Sequence, residues 1–312
     1  MTGPVVGLIG TGGMGRTHLA ALRSIGVPVL VHGRRGAEAL AAELGGEPVE
    51  DLDELLRRCA VVDIVTPTPS HLPIAFAALE AGRDVICEKP LARTAADAAA
   101  LETAAVTAGR WLLPAQVVRY DPAYAALRAA IEAGELGALT GLRLHRSGER
   151  PATPWFADAA QSGGLVLDLL VHELDLARWI AGEVVELRAR RRDEPGALES
   201  VEVELRHANG VSSRIDGAWR EPGSPFLAEF EASGTAGARR GSTADEAAVG
   251  MPSTSPYELE LGDFLRVIEH GGEPRVTARD GVEAVRLAEA VAASIERDAP
   301  VAVSPRRRAG IR

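Results

Sequence analysis

One glycine-rich turn constrains the fold of this chain more than any other feature. Residues 10–15 read GTGGMG, directly after an apolar run at 5–9 and directly before a helical pattern. Between a strand and a helix, a GxGxxG segment permits a tight turn, a close approach of the backbone to a pyrophosphate and close helix–strand packing. A turn that binds nothing is the alternative. We predict a dinucleotide-binding loop formed by Gly10, Thr11, Gly12, Gly13, Met14 and Gly15.

The apolar pattern divides the chain of 312 residues into two parts. Residues 1–118 alternate β-branched runs with alanine- and leucine-rich stretches, which indicates a parallel sheet with strands at 5–9, 29–32, 61–65, 85–87 and 111–118. From 119 onward, residues such as Val201, Val203 and Leu205 alternate with charged residues, as in half-buried antiparallel strands. We predict an α/β fold: an N-terminal Rossmann domain (1–118) and a C-terminal α/β domain (119–312) with a large open, mostly antiparallel sheet. A mobile loop is expected at 233–256, and helices at 257–269 and 279–297.

Charge and cysteine content exclude several classes of protein. The net charge of −10 disfavours binding to nucleic acid, which needs a concentrated basic surface. The two cysteines, Cys59 and Cys87, cannot build a disulfide framework and lack metal-binding spacing. No apolar run approaches the roughly 18 residues that span a bilayer, and no basic segment marks a signal peptide. We expect a cytoplasmic protein with neither a nucleic-acid nor a membrane partner.

The end of the second predicted strand carries information about the dinucleotide. Proteins that bind NAD place an acidic residue there for the ribose hydroxyls, whereas this chain has Gly33 followed by Arg34 and Arg35. Guanidinium groups favour a 2′-phosphate, so we predict NADP over NAD. Two solvated surface arginines are the alternative interpretation.

Lys89 is the only lysine in the chain, and it follows a predicted parallel strand within the tripeptide EKP. Ligands of doubly wound sheets bind at the carboxyl edge of the strands, which is where this lysine falls. The turn TPTPSH at 66–71 follows the neighbouring strand and should line the same edge. We predict that the cofactor contacts Thr66, Pro67, His71, Glu88 and Lys89; for His71, a purely structural role explains the sequence equally well.

Three ionisable residues in the second part lie on one stretch with helical periodicity. Asp168, His172 and Asp175 are four and seven residues apart, which places them on one face of a single helix over 165–182. Leucine and isoleucine residues give this helix a broad apolar surface, which indicates that it is mostly buried, so the three ionisable groups need partners. A metal site is conceivable, but zinc prefers more nitrogen or sulfur ligands, and we predict no metal.

Taken together, GLIGTGGMG, TPTPSH, EKP and GGxxxDxxxHxxD resemble the glucose–fructose oxidoreductase / inositol dehydrogenase (Gfo/Idh/MocA) family over nearly the whole chain. The resemblance implies that Lys89, Asp168 and His172 are catalytic. Substrate contacts would come from the same three residues and from Arg119, Trp155 and Asp175. Two departures are Leu170, where a glycine is common, and Gly33, where an acid is usual.

The implied activity is hydride transfer between nicotinamide and a secondary alcohol or ketone of a polyol, cyclitol or sugar, by a homo-dimer or homo-tetramer. His172 suits the role of base because an ordinary imidazole titrates near neutral pH, and Lys89 would donate a hydrogen bond to the substrate oxygen. Two alternatives remain open. One is a relative that uses transient hydride transfer to drive sugar elimination or glycoside cleavage, and the other is a dinucleotide sensor without enzymatic activity.

Overall fold

The computed structural model describes residues 3–242 and 254–304. The described residues up to Asp121, together with those from 254 to Val285, form one compact unit. The described residues from Pro122 to 242 and from Arg286 to 304 form the second. The domain boundary at 118/119 stays a prediction. The compact units differ from it in one respect, because residues 254–285 pack with the N-terminal unit.

The first unit contains a six-stranded sheet in the order β3-β2-β1-β4-β5-β6, and every neighbouring pair is parallel. This confirms the predicted Rossmann sheet. The long apolar runs follow from its burial, since both faces of a parallel sheet are covered by helices. The strands are β1 Val6–Ile9, β2 Val29–His32, β3 Glu47–Pro48, β4 Val61–Ile64, β5 Asp84–Glu88 and β6 Leu112–Ala115.

Helices connect these strands and begin at clear sequence signals. Asp51 and Thr94 cap two of them by accepting from the backbone N–H of Glu54 (2.7 Å) and Asp97 (3.1 Å). The predicted strand over 111–118 was too long, because Arg119 N–H bonds to Gln116 O (3.0 Å) in a 3₁₀ turn. The helices are α1 Gly13–Ile25, α2 Ala37–Leu44, α3 Leu52–Arg58, α4 His71–Glu80 and α5 Ala95–Ala108, with 3₁₀ turns at Thr68–Ser70 and Val117–Tyr120.

The C-terminal segment of this unit is held by its apolar face. Its helix Pro256–His270 begins at a capping box formed by Ser255 and Glu258. Leu261 and Phe264 are buried in one core with residues of β1 and α1, and Phe264 meets the Tyr120 ring edge-on at 6.0 Å. Burial of these side chains explains why a segment distant in sequence belongs to the N-terminal unit.

The second unit contains a seven-stranded sheet in the order β12-β11-β7-β10-β9-β8-β13, in which only β7 and β10 pair in parallel. This confirms a large, mostly antiparallel sheet. The predicted loop at 233–256 was wrong for 233–242, which form a hairpin, while 243–253 lie outside the described residues. The strands are β7 Leu139–Glu149, β8 Val184–Arg191, β9 Ala197–His207, β10 Ser212–Arg220, β11 Leu227–Gly234, β12 Gly237–Ser242 and β13 Val301–Ala302.

The remaining helices include three short ones of four or five residues that precede β8. In chain order the helices are α6 Pro122–Glu132, α7 Pro154–Ala157, α8 Ala159–Ser162, α9 Gly164–Asp168, α10 Val171–Ala181, α11 Pro256–His270 and α12 Ala278–Arg297. Helices α9 and α10 pack on one face of the seven-stranded sheet. Over residues 3–242 and 254–304, no helix is long and apolar enough to cross a membrane.

Candidate active site

The glycine-rich loop has the geometry of a phosphate-binding turn. Gly10 has a φ of 126°, and a Cβ there would lie 2.6 Å from the carbonyl oxygen of Val65. A Cβ on Gly15 would lie 2.2 Å from Gly10 O, so close packing requires glycine. By contrast, a Cβ on Gly12 or Gly13 would meet nothing within 4 Å. This open side faces the start of α1, where no side chain caps the first N–H groups, so the loop fits a dinucleotide pyrophosphate.

Several other residues near this loop are predicted to contact the cofactor, and their surroundings differ. Met14 is half-buried against the apolar core of the first unit. The Thr11 hydroxyl donates to Arg35 O (2.7 Å), and a Cβ on Gly33 would lie 2.8 Å from Thr11 Cγ2. Arg34 and Arg35 are exposed, and neither forms an ion pair with any residue that the structure describes. Thr11 therefore fills the space that a side chain at position 33 would need.

His71 joins the two loops at the carboxyl edge of the parallel sheet. Its Nδ1 lies 2.9 Å from Pro90 O and its Nε2 lies 2.8 Å from Thr66 O. Both neighbours are acceptors, so a neutral ring, which carries one N–H, donates to only one of them at a time. Burial lowers the pKa of His71 below its usual 6.5. These contacts give His71 a structural role, while cofactor contacts by His71, Thr66 and the exposed Pro67 stay predictions.

Glu88 ends β5, and both of its carboxylate oxygens are engaged. Oε1 lies 3.2 Å from Nε2 of His18, and Oε2 accepts from the backbone N–H of Lys89 (2.8 Å). Nδ1 of His18 in turn lies 2.9 Å from Oδ2 of Asp63. Burial raises the pKa of Glu88, but the hydrogen bond and charge of His18, with the charge of Lys89, lower it below 4.5. Lys89 itself is partly exposed, and its peptide bond to Pro90 is cis.

Sequence reasoning missed His18 and Asp63. A signal was available for Asp63, because an acidic residue in the middle of an otherwise apolar parallel strand, between Val62 and Ile64, must have a buried partner. His18 carried no comparable signal, since a histidine in the first turns of α1 is compatible with a surface position.

The helix carrying Asp168, His172 and Asp175 is not continuous, which corrects the prediction of a single helix. The N–H groups of Leu169 and Leu170 both bond to Leu165 O (3.0 Å each), so α9 ends and α10 restarts at Val171. Asp168 and His172 thus lie on either side of a break, while His172 and Asp175 share α10. Asp168 and Asp175 are buried, and His172 is half-buried. Over the described ranges, no group of three or more His, Cys, Asp or Glu side chains is arranged to hold a metal.

Leu170 lies at this break and packs on the sheet. The side chain is wholly buried, and a Cβ on Gly217 of β10 would lie 2.1 Å from Leu170 Cδ2. The glycine in the strand therefore makes room for the leucine.

Arg119 is buried and binds two other residues of the first unit. Its guanidinium is 2% exposed, donates to Arg275 O (3.0 Å) and pairs with Asp280 (3.3 Å). Trp155, on α7, is half-buried, and its ring centroid lies 3.9 Å from that of Phe156. Substrate contacts by Arg119, Trp155 and Asp175 stay predictions.

Comparison with known proteins identifies the class first. Residues 5–116 match the family described as an oxidoreductase family with an NAD-binding Rossmann fold, and residues 124–240 match the GFO/IDH/MocA C-terminal domain. A D-apiose dehydrogenase of Paraburkholderia graminis is 30% identical over 325 residues, covering 91% of this chain and 85% of that protein. The chain belongs to the GFO/IDH/MocA family.

Other relatives carry related names. An inositol 2-dehydrogenase of Rubrobacter xylanophilus is 34% identical over 192 residues, which is 58% of this chain and about half, 53%, of that protein's length. GenD2 from gentamicin A biosynthesis, solved in complex with NAD, is similar with a TM-score of 0.88 and 25% identity over 98% of this chain and 97% of that one. Levoglucosan dehydrogenase in complex with NADH and L-sorbose gives a TM-score of 0.86 and 25% identity over 97% and 100%.

Proposed function

We propose that this protein transfers a hydride between a nicotinamide dinucleotide and a secondary alcohol or ketone of a polyol, cyclitol or sugar. The observation that carries the proposal is the position of Lys89. It is the only lysine of the chain, it follows β5 at the carboxyl edge of the parallel sheet, and its backbone N–H is held by Glu88. Membership in an oxidoreductase family with an NAD-binding Rossmann fold supports the same reaction class.

The substrate class rests on the names of the relatives. One is named for inositol, another for apiose and a third for levoglucosan, and these compounds are polyhydroxylated and differ in ring and size. What they share is hydroxyl groups on neighbouring carbons. We infer a substrate of this class for the present chain.

In the proposed mechanism, the bound nicotinamide supplies the hydride acceptor or donor. His172 takes the hydroxyl proton in the oxidative direction, because a base works best when its pKa lies near the working pH. Lys89 donates a hydrogen bond to the same substrate oxygen and stabilises its developing negative charge. Asp168 orients the imidazole or holds a neighbouring hydroxyl. An ammonium is compact enough to sit beside one oxygen, where a planar guanidinium is not.

The test combines a substrate panel with a variant. Inositols, sugars and sugar acids are assayed with NAD and with NADP, following the absorbance of the reduced nicotinamide. In Lys89→Arg, turnover of the best substrate should fall by about two orders of magnitude or more, as when an oxyanion donor is lost. Arg57→Lys, the reverse exchange at an exposed position on α3, is the control and should leave turnover unchanged. Turnover in Lys89→Arg close to that of the unaltered enzyme would overturn the proposal.

The preference for NADP is also a proposal, supported by three features at and near the loop after β2. Gly33 offers no acid for a ribose hydroxyl, Thr11 in the turn after β1 blocks the space for one, and Arg34 and Arg35 are exposed and form no ion pair with any described residue. A charge-assisted contact to a 2′-phosphate contributes about 1.5–3 kcal/mol, which is roughly a ten- to hundredfold preference. Arg34→Ala should therefore raise KM for NADP and leave KM for NAD unchanged. Equal changes for both dinucleotides contradict the preference.

A second pair of variants tests the role of Thr11. Gly33→Asp alone should bind both dinucleotides poorly, because its Cβ would lie 2.8 Å from Thr11 Cγ2. Thr11→Gly combined with Gly33→Asp removes this contact and should favour NAD. Efficient use of NAD by Gly33→Asp alone would show that Thr11 does not control this position.

Assembly and location remain proposals as well. We infer a homo-dimer or homo-tetramer, supported by the breadth of the seven-stranded sheet, because the exposed face of a large open sheet is a surface that a second subunit covers. Light scattering after gel filtration measures the mass, and a monomer at micromolar concentration contradicts the inference. A cytoplasmic location is expected and is checked by cell fractionation.

A further inference from the structure

A set of buried ionisable side chains adjoins Lys89 and has no part in the proposed chemistry. We define the buried cluster as His18 on α1, Asp63 on β4, Glu88 on β5 and Glu260 on α11. His18, Asp63 and Glu260 have no exposed surface, and Glu88 retains 6%. Groups of this kind are almost never buried unless they are paired, so each needs an explanation.

His18 joins two of the acids. Its Nδ1 faces Asp63 Oδ2 at 2.9 Å, and its Nε2 faces Glu88 Oε1 at 3.2 Å. Both partners are acceptors, so both ring nitrogens must carry a hydrogen. Burial by itself lowers the pKa of His18, but the Asp63 and Glu88 carboxylates raise it well above its usual 6.5. His18 is therefore an imidazolium at neutral pH, and its ring is fixed at both ends.

Glu88 transmits this arrangement to the EKP segment. One oxygen faces His18, and the other accepts from the backbone N–H of Lys89 at 2.8 Å. Because both oxygens belong to one rigid carboxylate, a rotation of the Glu88 side chain breaks both contacts together. Whatever fixes Glu88 also fixes the backbone from which the Lys89 side chain extends.

The third element around the His18 ring is helix α11. The Tyr257 ring of α11 lies 5.8 Å from the His18 ring, and Glu260 of the same helix has no hydrogen-bond partner for either oxygen among the described residues. Burial raises the pKa of Glu260 well above 4.5, and Glu88, Asp63 and Asp263 raise it further, against the lowering by His18. The raised pKa favours the uncharged form of Glu260, and neither of its oxygens accepts from the His18 ring.

We propose that His18 is a positioning residue for Lys89: it holds the Glu88 carboxylate in the orientation that accepts the Lys89 backbone N–H, and so sets where the Lys89 side chain begins. The inference rests on the proposed function, because it presumes that Lys89 acts on substrate. His18 touches neither substrate nor dinucleotide in this scheme and works only through Glu88.

Two isosteric variants separate the two contacts of His18. The amide nitrogen of asparagine takes the place of Nδ1, so His18→Asn keeps a donor to Asp63 and loses the one to Glu88. The amide nitrogen of glutamine takes the place of Nε2, so His18→Gln keeps the donor to Glu88. We expect kcat for the best substrate of the panel to fall about ten- to hundredfold in His18→Asn and to be largely recovered in His18→Gln. KM for the dinucleotide should be unchanged in both.

A second readout needs neither substrate nor dinucleotide. Because Lys89 is the only lysine, reductive methylation with ¹³C-formaldehyde labels its Nζ and, besides it, only the amino terminus. The NMR signal of the labelled Lys89 should move toward its unfolded-chain position in His18→Asn. In His18→Gln it should stay at the position found without substitution.

The outcomes distinguish this inference from the proposed function. An unchanged lysine signal and unchanged kcat in His18→Asn overturn the positioning role, and so do equal losses in the two His18 variants, which indicate a general structural effect. Full turnover in Lys89→Arg overturns the proposed function instead, whatever the lysine signal shows. If His18→Asn does not fold, Glu88→Leu removes both acceptor oxygens at similar volume, and an unchanged signal there is equally decisive.

Discussion

The two units each contain a network of ionic side chains, and the two networks differ in their contact with water. In the first unit, the buried cluster excludes solvent almost completely. In the second, the open-face network consists of Arg190, Arg192, Glu202, Arg214 and Asp216 on neighbouring strands β8 to β10 and just beyond β8. There Glu202 is 2% exposed, but the side chains of Arg190 and Arg192 are 63% and 44% exposed.

The two networks contain similar charged groups, but they differ in how much the loss of one partner matters. On the open face, Glu202 contacts three arginines, so the loss of one leaves two others and water. In the buried cluster, His18 has one partner at each ring nitrogen and no solvent to replace either. Electrostatic interactions are weak where water screens them and strong where it does not. The buried cluster therefore fixes geometry, while the open face tolerates change.

The largest expected effect is the removal of a charge from the buried cluster. Asp63→Asn leaves the His18 imidazolium with one charged partner, and breaking a buried pair in this way lowers the free energy of unfolding by about 3–5 kcal/mol. Urea unfolding measures it. Asp216→Asn, the same exchange on the open face, is the matched control. Similar losses in the two variants would abolish the distinction drawn between the networks.

A smaller effect, visible as a pH dependence, is expected at Glu260. Because the folded-state pKa of this carboxyl is raised, its stabilising contribution is complete below the unfolded value of 4.5 and is lost as pH rises toward the folded pKa. The glutamine in Glu260→Gln cannot ionise. The free energy of unfolding of this variant, minus that of the unaltered protein, should therefore increase as pH rises above 4.5. The gain is on the order of 1 kcal/mol per pH unit at most. Parallel pH profiles would contradict a raised pKa of Glu260 in the folded protein.

The smallest effect is expected between Arg192 and Asp216, whose charged atoms lie 3.3 Å apart. A double-mutant cycle with Arg192→Gln and Asp216→Asn should give a coupling energy below about 1 kcal/mol, because both side chains are more than a third exposed. Added salt should reduce the coupling further. A coupling that is larger and insensitive to salt would place this pair with the buried cluster.

The sequence predicted those features that depend on neighbouring residues. The GxGxxG turn, the parallel strands and the EKP segment each lie within a few residues, and local periodicity suffices to recognise them. The buried cluster could not be predicted in this way, since His18 lies 45 residues from Asp63 and 70 from Glu88, and only the fold brings them together.

The break between α9 and α10 could not be predicted from the sequence for a different reason. Leu169 and Leu170 are good helix formers, and nothing in their identity signals an interruption. The break coincides with the packing of Leu170 on Gly217, a contact across 47 positions that no helical pattern contains. The assignment of residues 254–285 to the first unit likewise depends on long-range apolar packing of Leu261 and Phe264.

Because Leu170 packs against Gly217, a chimera between this chain and a relative should take both positions from the same parent. A chimera that takes the α9–α10 region from a protein with glycine at position 170 leaves a void of leucine size against β10, and it loses the stability that the filled space provides. A chimera that takes β10 from a protein with a larger residue at 217 forces that residue into the leucine. Grafts intended to change specificity should therefore carry both segments from one parent.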